Sequence, residues 1–242
     1  MNYNASMIWV VIGVIVLFLI LALSIATYSG AQLQDTYERY SHEPCYAKIT
    51  GGQFALMVAE KITHNRIKVA RTAGVLTDAY STRAKTVVIS DETCDTASVA
   101  ALTIVAHEFG HALQDLNNSK KFRLNIILMK VTRWLGYFMM PLALIGLFIL
   151  LVFQDLYVVG IILLALSALI FLVALLLKFL SIPLERDASH RGLKILKEMN
   201  VMEEDELKMA QELLRSALLT YIGDFLRAIL WWTFLTRRSK MF

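Results

Sequence analysis

The sequence predicts a mainly helical membrane protein with three transmembrane helices and a small α+β domain outside the bilayer. Of its 242 residues, 57% are hydrophobic and 18% are charged. Soluble domains are typically about 45–50% apolar and about 25% charged. Three uncharged windows also have the length of about 20 residues that a helix needs to cross a hydrocarbon core of about 30 Å. These windows are residues 8–27, 134–153 and 156–177.

The two later windows predict a tight hairpin, because only Gln154 and Asp155 separate them. The first window lacks a preceding basic region and an obvious cleavage site, so we expect a retained anchor rather than a signal peptide. The expected organisation is an anchor (1–27), the first part of a polar domain (28–133), the hairpin (134–177) and the second part of the domain with a C-terminal amphipathic or membrane-associated helix (178–242).

The basic residues predict an orientation in the membrane. Of the 24 Lys and Arg residues, thirteen lie within residues 28–133 and eleven within 178–242. Because basic residues near spans favour the cytoplasm, we expect both polar segments inside, with the N-terminus and the hairpin tip outside. The net charge of +4 suits a surface that faces anionic lipid. The basic residues are scattered, which does not favour nucleic-acid binding.

The first polar segment predicts a helix and two strands. Thr50 and Gln53 have the spacing of a capping box and would begin a helix that ends near Asn65. Residues 66–73 and 86–90 are rich in β-branched side chains and predict two strands, which would pair across a turn-like segment, residues 74–83.

Further helices are expected along the rest of the chain. A long one would run from Asp95 or Thr96 to Asn117, and residues 120–133 form a basic amphipathic lead into the hairpin. After the hairpin, residues 181–183 would open a polar helix, and the acidic run 203–206 another. Near the C-terminus, Asp224 and Arg227 interrupt an apolar segment. The chain then has aromatic and basic residues that suggest an end at the membrane surface: Trp231, Trp232, Arg237 and Arg238. Cys45 and Cys94, the only cysteines, are expected to remain thiols in a cytosolic domain.

The strongest chemical signal is His107-Glu108-x-x-His111 within a predicted helix. Helical residues four apart share a face, so both imidazoles can bind one metal ion. Glu108, next to the first histidine, can reach a water molecule at the metal, accept its proton and pass it to a leaving amine. This pattern predicts zinc, one ion per chain, and metal-assisted hydrolysis of peptide bonds.

A third protein ligand must come from elsewhere in the chain. Glu185 is the leading candidate, because it follows the hairpin, which returns the chain to the side of the membrane that it left. Asp187, His190 and the acidic run 203–206 are competitors. Asp115, four residues after His111, is a candidate partner for the second imidazole nitrogen of that histidine. Roles for Asp187 and Tyr221 beside the metal or the reacting carbonyl stay open.

The sequence resembles the YugP-type membrane zinc metallopeptidases, a family distantly similar to HtpX-type and CaaX-prenyl proteases. The resemblance covers most of the chain and rests on the stretches 74–80 (GVLTDAY), 86–90 (TVVIS), 106–114 (AHEFGHALQ), 183–189 (PLERDAS) and 217–221 (ALLTY). It implies a gluzincin-like α+β zinc peptidase domain with a small sheet, in a bacterial-type plasma membrane.

The resemblance also bears on single residues. Related proteases have a Glu-x-x-Ala-Asp pattern whose glutamate is the third ligand, which implies that role for Glu185, with Ser189 in place of the final aspartate. A family segment Asp-His-Tyr-Asp-Pro is represented here by residues 78–82 (DAYST), without its histidine, second aspartate and proline. Residues 86–90 would be an edge strand above the zinc helix, to which an extended peptide could add.

These observations favour a zinc-dependent membrane endopeptidase with Glu108 as the general base. The expected partners are a peptide or membrane-protein substrate and the lipid bilayer, and a homo-oligomer stays open. The alternative is a non-catalytic membrane protein that binds metal for a structural or regulatory role, although such a site would not need Glu108. A transporter is disfavoured, because the three windows contain no ionisable residue.

Overall fold

The computed structural model of the chain describes residues 2–117 and 119–231, without some of the side chains near both ends. Trp232, Arg237 and Arg238 lie outside the described residues, and so do the side chains of Tyr221, Asp224, Arg227 and Trp231.

The described chain is mainly helical, with one small sheet. A short 3-10 turn, Gln154–Leu156, joins two long apolar helices. The elements are α1 (Asn2–Ser41), α2 (Gly51–Lys61), β1 (Lys68–Thr72), β2 (Ala79–Ser81), β3 (Thr86–Ser90), α3 (Asp91–Asp95), α4 (Val99–Leu116), α5 (Lys120–Val152), α6 (Tyr157–Glu198) and α7 (Glu204–Trp231).

The described residues divide into two compact units. We call the first the apolar unit; it comprises residues 2–32, 130–179 and 219–231. We call the second the α+β unit; it comprises residues 33–117, 119–129 and 180–218.

Two helices within the described part of the chain, α5 and α6, are long and apolar enough to cross a membrane. Only 11% and 17% of their most apolar windows are buried, which distinguishes them from the core helices of a soluble domain. In the apolar unit they pack closely at Gly146 and Gly160, where a Cβ atom on Gly160 would lie 2.9 Å from the carbonyl oxygen of Gly146. The hydroxyl of Ser167 donates a hydrogen bond to the carbonyl of Met139 at 2.8 Å.

The expectation of three transmembrane helices is corrected to two candidate spans among the described residues. The first predicted window, residues 8–27, is helical and lies within α1. Several side chains of this window lie outside the described part of the chain.

The predicted capping box at the start of α2 is confirmed. The hydroxyl of Thr50 accepts a hydrogen bond from the backbone N–H of Gln53, and the Gln53 side chain accepts one from the Thr50 N–H, at 3.2 and 3.0 Å. The helix ends at Lys61, before the predicted Asn65. His64 and Asn65 instead adopt positive φ angles, which turn the chain toward β1.

The sheet has the order β1-β3-β2, with β1 parallel and β2 antiparallel to β3. Residues 86–90 therefore form the central strand, and the prediction that they form an edge strand is wrong. The segment expected to be a turn contains β2, because the buried carboxylate of Asp78 accepts hydrogen bonds from the backbone N–H and the hydroxyl of Ser90, at 2.8 and 2.9 Å. These bonds hold the returning chain beside β3.

The metal-motif helix α4 begins three residues later than the sequence suggests. Thr96 has an extended backbone, so α3 is a separate short helix. The hydroxyl of Ser98 then accepts a hydrogen bond from the N–H of Ala101 and caps α4. Most of α4 is buried, and its apolar side chains form the centre of the core of the α+β unit, with fully buried contributions from Phe54, Val58, Val87, Val99, Leu102, Val105, Phe109 and Leu196.

The sequence predicts that the helix containing Glu185 begins near Pro183, and this prediction is wrong. The helix continues without a break from the hairpin as α6. Proline has no backbone N–H, so Pro183 leaves one helical carbonyl, that of Phe179, without its usual partner. A single missing bond does not end a helix of 42 residues whose later part packs in the α+β unit.

Within the α+β unit, α4 and α6 approach each other at backbone distance. A Cβ atom on Gly110 would lie 2.2 Å from the carbonyl oxygen of Ala188, and one on Gly192 would lie 2.9 Å from that of Ala106. Each helix therefore presents an alanine and a glycine, four residues apart, at the contact. Glycine is needed at both positions because a side chain would force the two backbones apart.

Gly110→Ala is expected to lower the stability of the protein. Overpacking of this kind costs about 1–3 kcal/mol or more, which should appear as a lower unfolding temperature of the detergent-solubilised chain. Gly136→Ala in α5 is the matched control, because a Cβ atom there meets nothing within 4 Å. Equal stability of Gly110→Ala and the parent would contradict the close approach of α4 and α6.

Candidate metal centre

The motif side chains of α4 point into the interior of the α+β unit. The His107 and His111 side chains are 20% and 15% exposed, and Glu108 is 5% exposed. Glu185 of α6 faces them with a side chain that is 14% exposed. The contact between the two helices thus brings together the four residues that the sequence analysis singled out for metal binding and catalysis.

Three of these side chains lie close enough together to bind one metal ion. The Nε2 atom of His111 lies 3.3 Å from an oxygen of Glu185, and that of His107 lies 3.8 Å from the same oxygen. One ligand atom from each residue lies within 4.8 Å of the others. Tetrahedral zinc with bonds of about 2.0–2.1 Å separates its ligand atoms by about 3.4 Å. Two nitrogens and one carboxylate oxygen are ligands of the kind that zinc prefers, and the two separations from Glu185 are close to this value.

The competing candidates for the third ligand lie elsewhere. The carboxylate of Asp187 accepts hydrogen bonds from Gln114 and Arg191, both at 2.8 Å. His190 is exposed. Within the acidic run, Glu206 accepts hydrogen bonds from the backbone N–H groups of Tyr46 and Glu203.

Each histidine has a polar partner on its other ring nitrogen. The Nδ1 atom of His107 lies 3.3 Å from the hydroxyl of Ser189, and that of His111 lies 3.1 Å from the side-chain oxygen of Gln114. Partners of this kind orient metal-binding imidazoles. Ser189, which replaces the family's aspartate, thus occupies a position where it can orient His107 without adding a charge.

Burial and charge give the site side chains unusual acidities. Burial, together with the nearby His111, lowers the pKa of His107 to about 4. Burial acts in the same direction on His111, but the hydrogen bond and negative charge of Glu185 outweigh it and raise that pKa to about 9. Burial raises the pKa of Glu108 to about 7. The carboxylate of Glu185 therefore favours positive charge at this position, which a bound cation would also supply.

Asp115, which the sequence left open as a candidate partner for His111, forms its hydrogen bonds elsewhere. The carboxylate of Asp115 instead accepts hydrogen bonds from the hydroxyl of Tyr80, at 2.6 Å, and from the ammonium group of Lys85. Residue 115 lies on the side of α4 that faces β2, where these partners are available. Gln114 is the partner of His111 in the structure. Its amide, close after the motif in the sequence, could have indicated this contact, but the sequence analysis did not include it.

Two residues retained from the family's Asp-His-Tyr-Asp-Pro segment fix β2 in place. Asp78 is bonded to Ser90 at the end of β3, and Tyr80 is bonded to Asp115 of α4. A backbone hydrogen bond from Tyr80 also reaches the Glu108 carboxyl and lowers its pKa, against the larger effect of burial. Ala79, at the position of the family's histidine, is exposed.

Comparisons with known proteins agree with this chemistry. The model of the family described as "Putative neutral zinc metallopeptidase" matches residues 15–237, which include both candidate spans and the four site residues. The "Putative membrane protease YugP" of Bacillus subtilis (strain 168) is 24% identical over 204 residues, or 84% of this chain and 87% of that protein. No solved structure matches.

Glu185→Gln is expected to weaken zinc binding by about 100-fold or more, because it removes the charged ligand. Loss of a residue that only hydrogen-bonds to a ligand typically weakens binding by about 10–100-fold. Zinc affinity can be measured by competition with a chromophoric chelator. Glu198→Gln is the matched control on α6, since the Glu198 side chain is 53% exposed and pairs with Lys194. Unchanged affinity in Glu185→Gln would exclude Glu185 as a ligand.

Proposed function

The chain belongs to this zinc metallopeptidase family, and from that membership we propose that it is a zinc-dependent membrane endopeptidase with a gluzincin-like site. The observation that best supports the proposal is the convergence of Glu185 on His107 and His111, beside the buried carboxyl of Glu108. In this proposal the two histidines and Glu185 hold one zinc ion, and Glu108 is the general base.

The proposed roles of the ion and of the residues around it follow from the chemistry of each group. Zinc, when bound, supplies a Lewis acid that acidifies water and polarises a carbonyl. With the ion bound, His107 and His111 would be neutral nitrogen donors, His111 having released its proton, and Glu185 would offset one positive charge. Ser189 and Gln114 orient the imidazoles through their second nitrogens.

Glu108 has the position and acidity expected of a general base. Its pKa of about 7, raised by burial, lies near neutral pH, where a carboxyl can both accept and release a proton. We assign it the transfer of a proton from the attacking water to the leaving amine. A non-catalytic site would have no need for a carboxyl that is 5% exposed and is not part of the ligand cluster.

We propose β2, rather than residues 86–90, as the strand that receives substrate. Both sides of β3 are already paired, whereas β2 lies at an edge of the sheet. Tyr80 of β2 bonds to Glu108 through its backbone and to Asp115 through its hydroxyl. An extended peptide paired with β2 would therefore lie along α4, held by main-chain bonds that accept varied side chains. Extended segments of misfolded or membrane-associated proteins fit this requirement.

We also propose a cytoplasmic location for the residues that flank the hairpin. All thirteen basic residues of 28–133 and all eleven of 178–242 lie outside the predicted windows, and such residues favour the cytoplasmic side. The hairpin tip would then be external. An external N-terminus requires in addition that α1 cross the membrane, and this part stays a prediction.

Glu108→Gln is expected to reduce cleavage of an unfolded protein substrate such as casein by about 10²–10⁴-fold, because the amide cannot accept a proton. Its zinc content should match the parent's. Glu60→Gln, at an exposed position of α2, is the control and should cleave normally. Cleavage by Glu108→Gln at the parent's rate, in a preparation that a chelator inactivates, would refute the assignment.

The orientation can be tested by cysteine labelling in intact cells, in a background with Cys45→Ala and Cys94→Ala. Asp155→Cys at the tip should react with a membrane-impermeant maleimide, whereas Ser119→Cys should react only after permeabilisation. The reverse pattern would overturn the proposed orientation.

A further inference from the structure

Gln114 is a fully buried side chain in α4 whose contacts extend beyond His111 to α6. Its amide nitrogen donates to the carbonyl of Leu184, at 2.9 Å, and to the carboxylate of Asp187, at 2.8 Å. Its oxygen lies 3.1 Å from Nδ1 of His111. Both hydrogens and the oxygen of this amide therefore have partners, as a buried polar group requires.

The partners on α6 fix which way the amide points. A backbone carbonyl and a carboxylate can only accept hydrogen bonds, so the NH₂ group must face Leu184 and Asp187. The amide oxygen then faces His111, and Nδ1 of that imidazole must carry the proton. In the neutral ring, the form that binds a metal ion, the lone pair is then on Nε2, the atom that lies 3.3 Å from Glu185.

The same amide also determines where Glu185 stands. Leu184 and Asp187, its two acceptors, lie one residue before and two residues after Glu185 in α6. A shift of α6 along α4 would break both bonds and leave a buried amide unsatisfied, which costs about 1–3 kcal/mol. Gln114 thus contacts one proposed ligand directly and holds the turn of helix that bears another.

We propose that Gln114 is a positioning residue for the metal centre, which selects the metal-binding tautomer of His111 and sets the register of the Glu185 helix. The inference rests on the proposed function, since it concerns the same site. It assigns to a neutral amide the contact with His111 for which Asp115 was a candidate, and adds the placement of the α6 turn that bears Glu185.

The test compares zinc affinities of the full-length, detergent-solubilised chain by chelator competition, without any substrate. Gln114→Met keeps the length of the side chain but removes all three hydrogen bonds, and it should weaken zinc binding by about 10–100-fold. Thr63→Val, just after α2, is the matched control, because it removes a buried hydrogen bond of 2.7 Å to the carbonyl of Ala59. Thr63→Val should bind zinc as the parent does, even if its unfolding temperature falls as much as that of Gln114→Met.

A rescue variant separates positioning from general stability. Gln114→Glu restores an acceptor for the Nδ1–H of His111 but not the donors to α6, so it should recover part of the lost affinity. Parent-like affinity in Gln114→Met would overturn the inference, and full recovery in Gln114→Glu would overturn its second half. If the parent itself binds no zinc, the proposed function fails first; if it binds zinc and only the Gln114 results disagree, the proposed function stands.

Discussion

The backbone contact between α4 and α6 is the constraint on which the site depends. Gly110 meets Ala188 and Gly192 meets Ala106, so the two helices are separated by little more than their main chains. Side chains one position away from these small residues, such as His107 and His111, then face the turn of α6 that bears Glu185. Larger residues at the contact would move the carboxylate away from the imidazoles, whatever the local sequence of the motif.

Local signals in the sequence were sufficient where a short stretch of chain determines the outcome. Thr50 and Gln53 cap a helix through contacts three residues apart, and the spacing of His107 and His111 places both on one helical face. The hairpin follows from two uncharged windows around a short polar tip. Glu185 was placed by the return of the chain through the hairpin, strengthened by a family resemblance.

Predictions failed where a distant contact decides between local alternatives. Gln114 and Asp115 both lie close to the face of α4 that bears His111. The carboxylate of Asp115 binds Tyr80 and Lys85 instead of His111, and the positions of these two residues depend on the fold. The strand order depends on the buried bond between Asp78 and Ser90, twelve residues apart. Proline favours the first turn of a helix, so Pro183 predicts a helix start, but the packing of α6 outweighs one missing bond.

The chain order of the site has a consequence for biosynthesis. His107 and His111 precede the hairpin, and Glu185 follows it. A ribosome that has just completed the hairpin tip has made two proposed ligands, but not the third, nor the glycine and alanine against which α4 packs. At that stage Gln114 has no acceptors, and the growing chain holds an open pair of histidines. The order of translation therefore delays completion of the proposed metal site until both helices of the hairpin have been made.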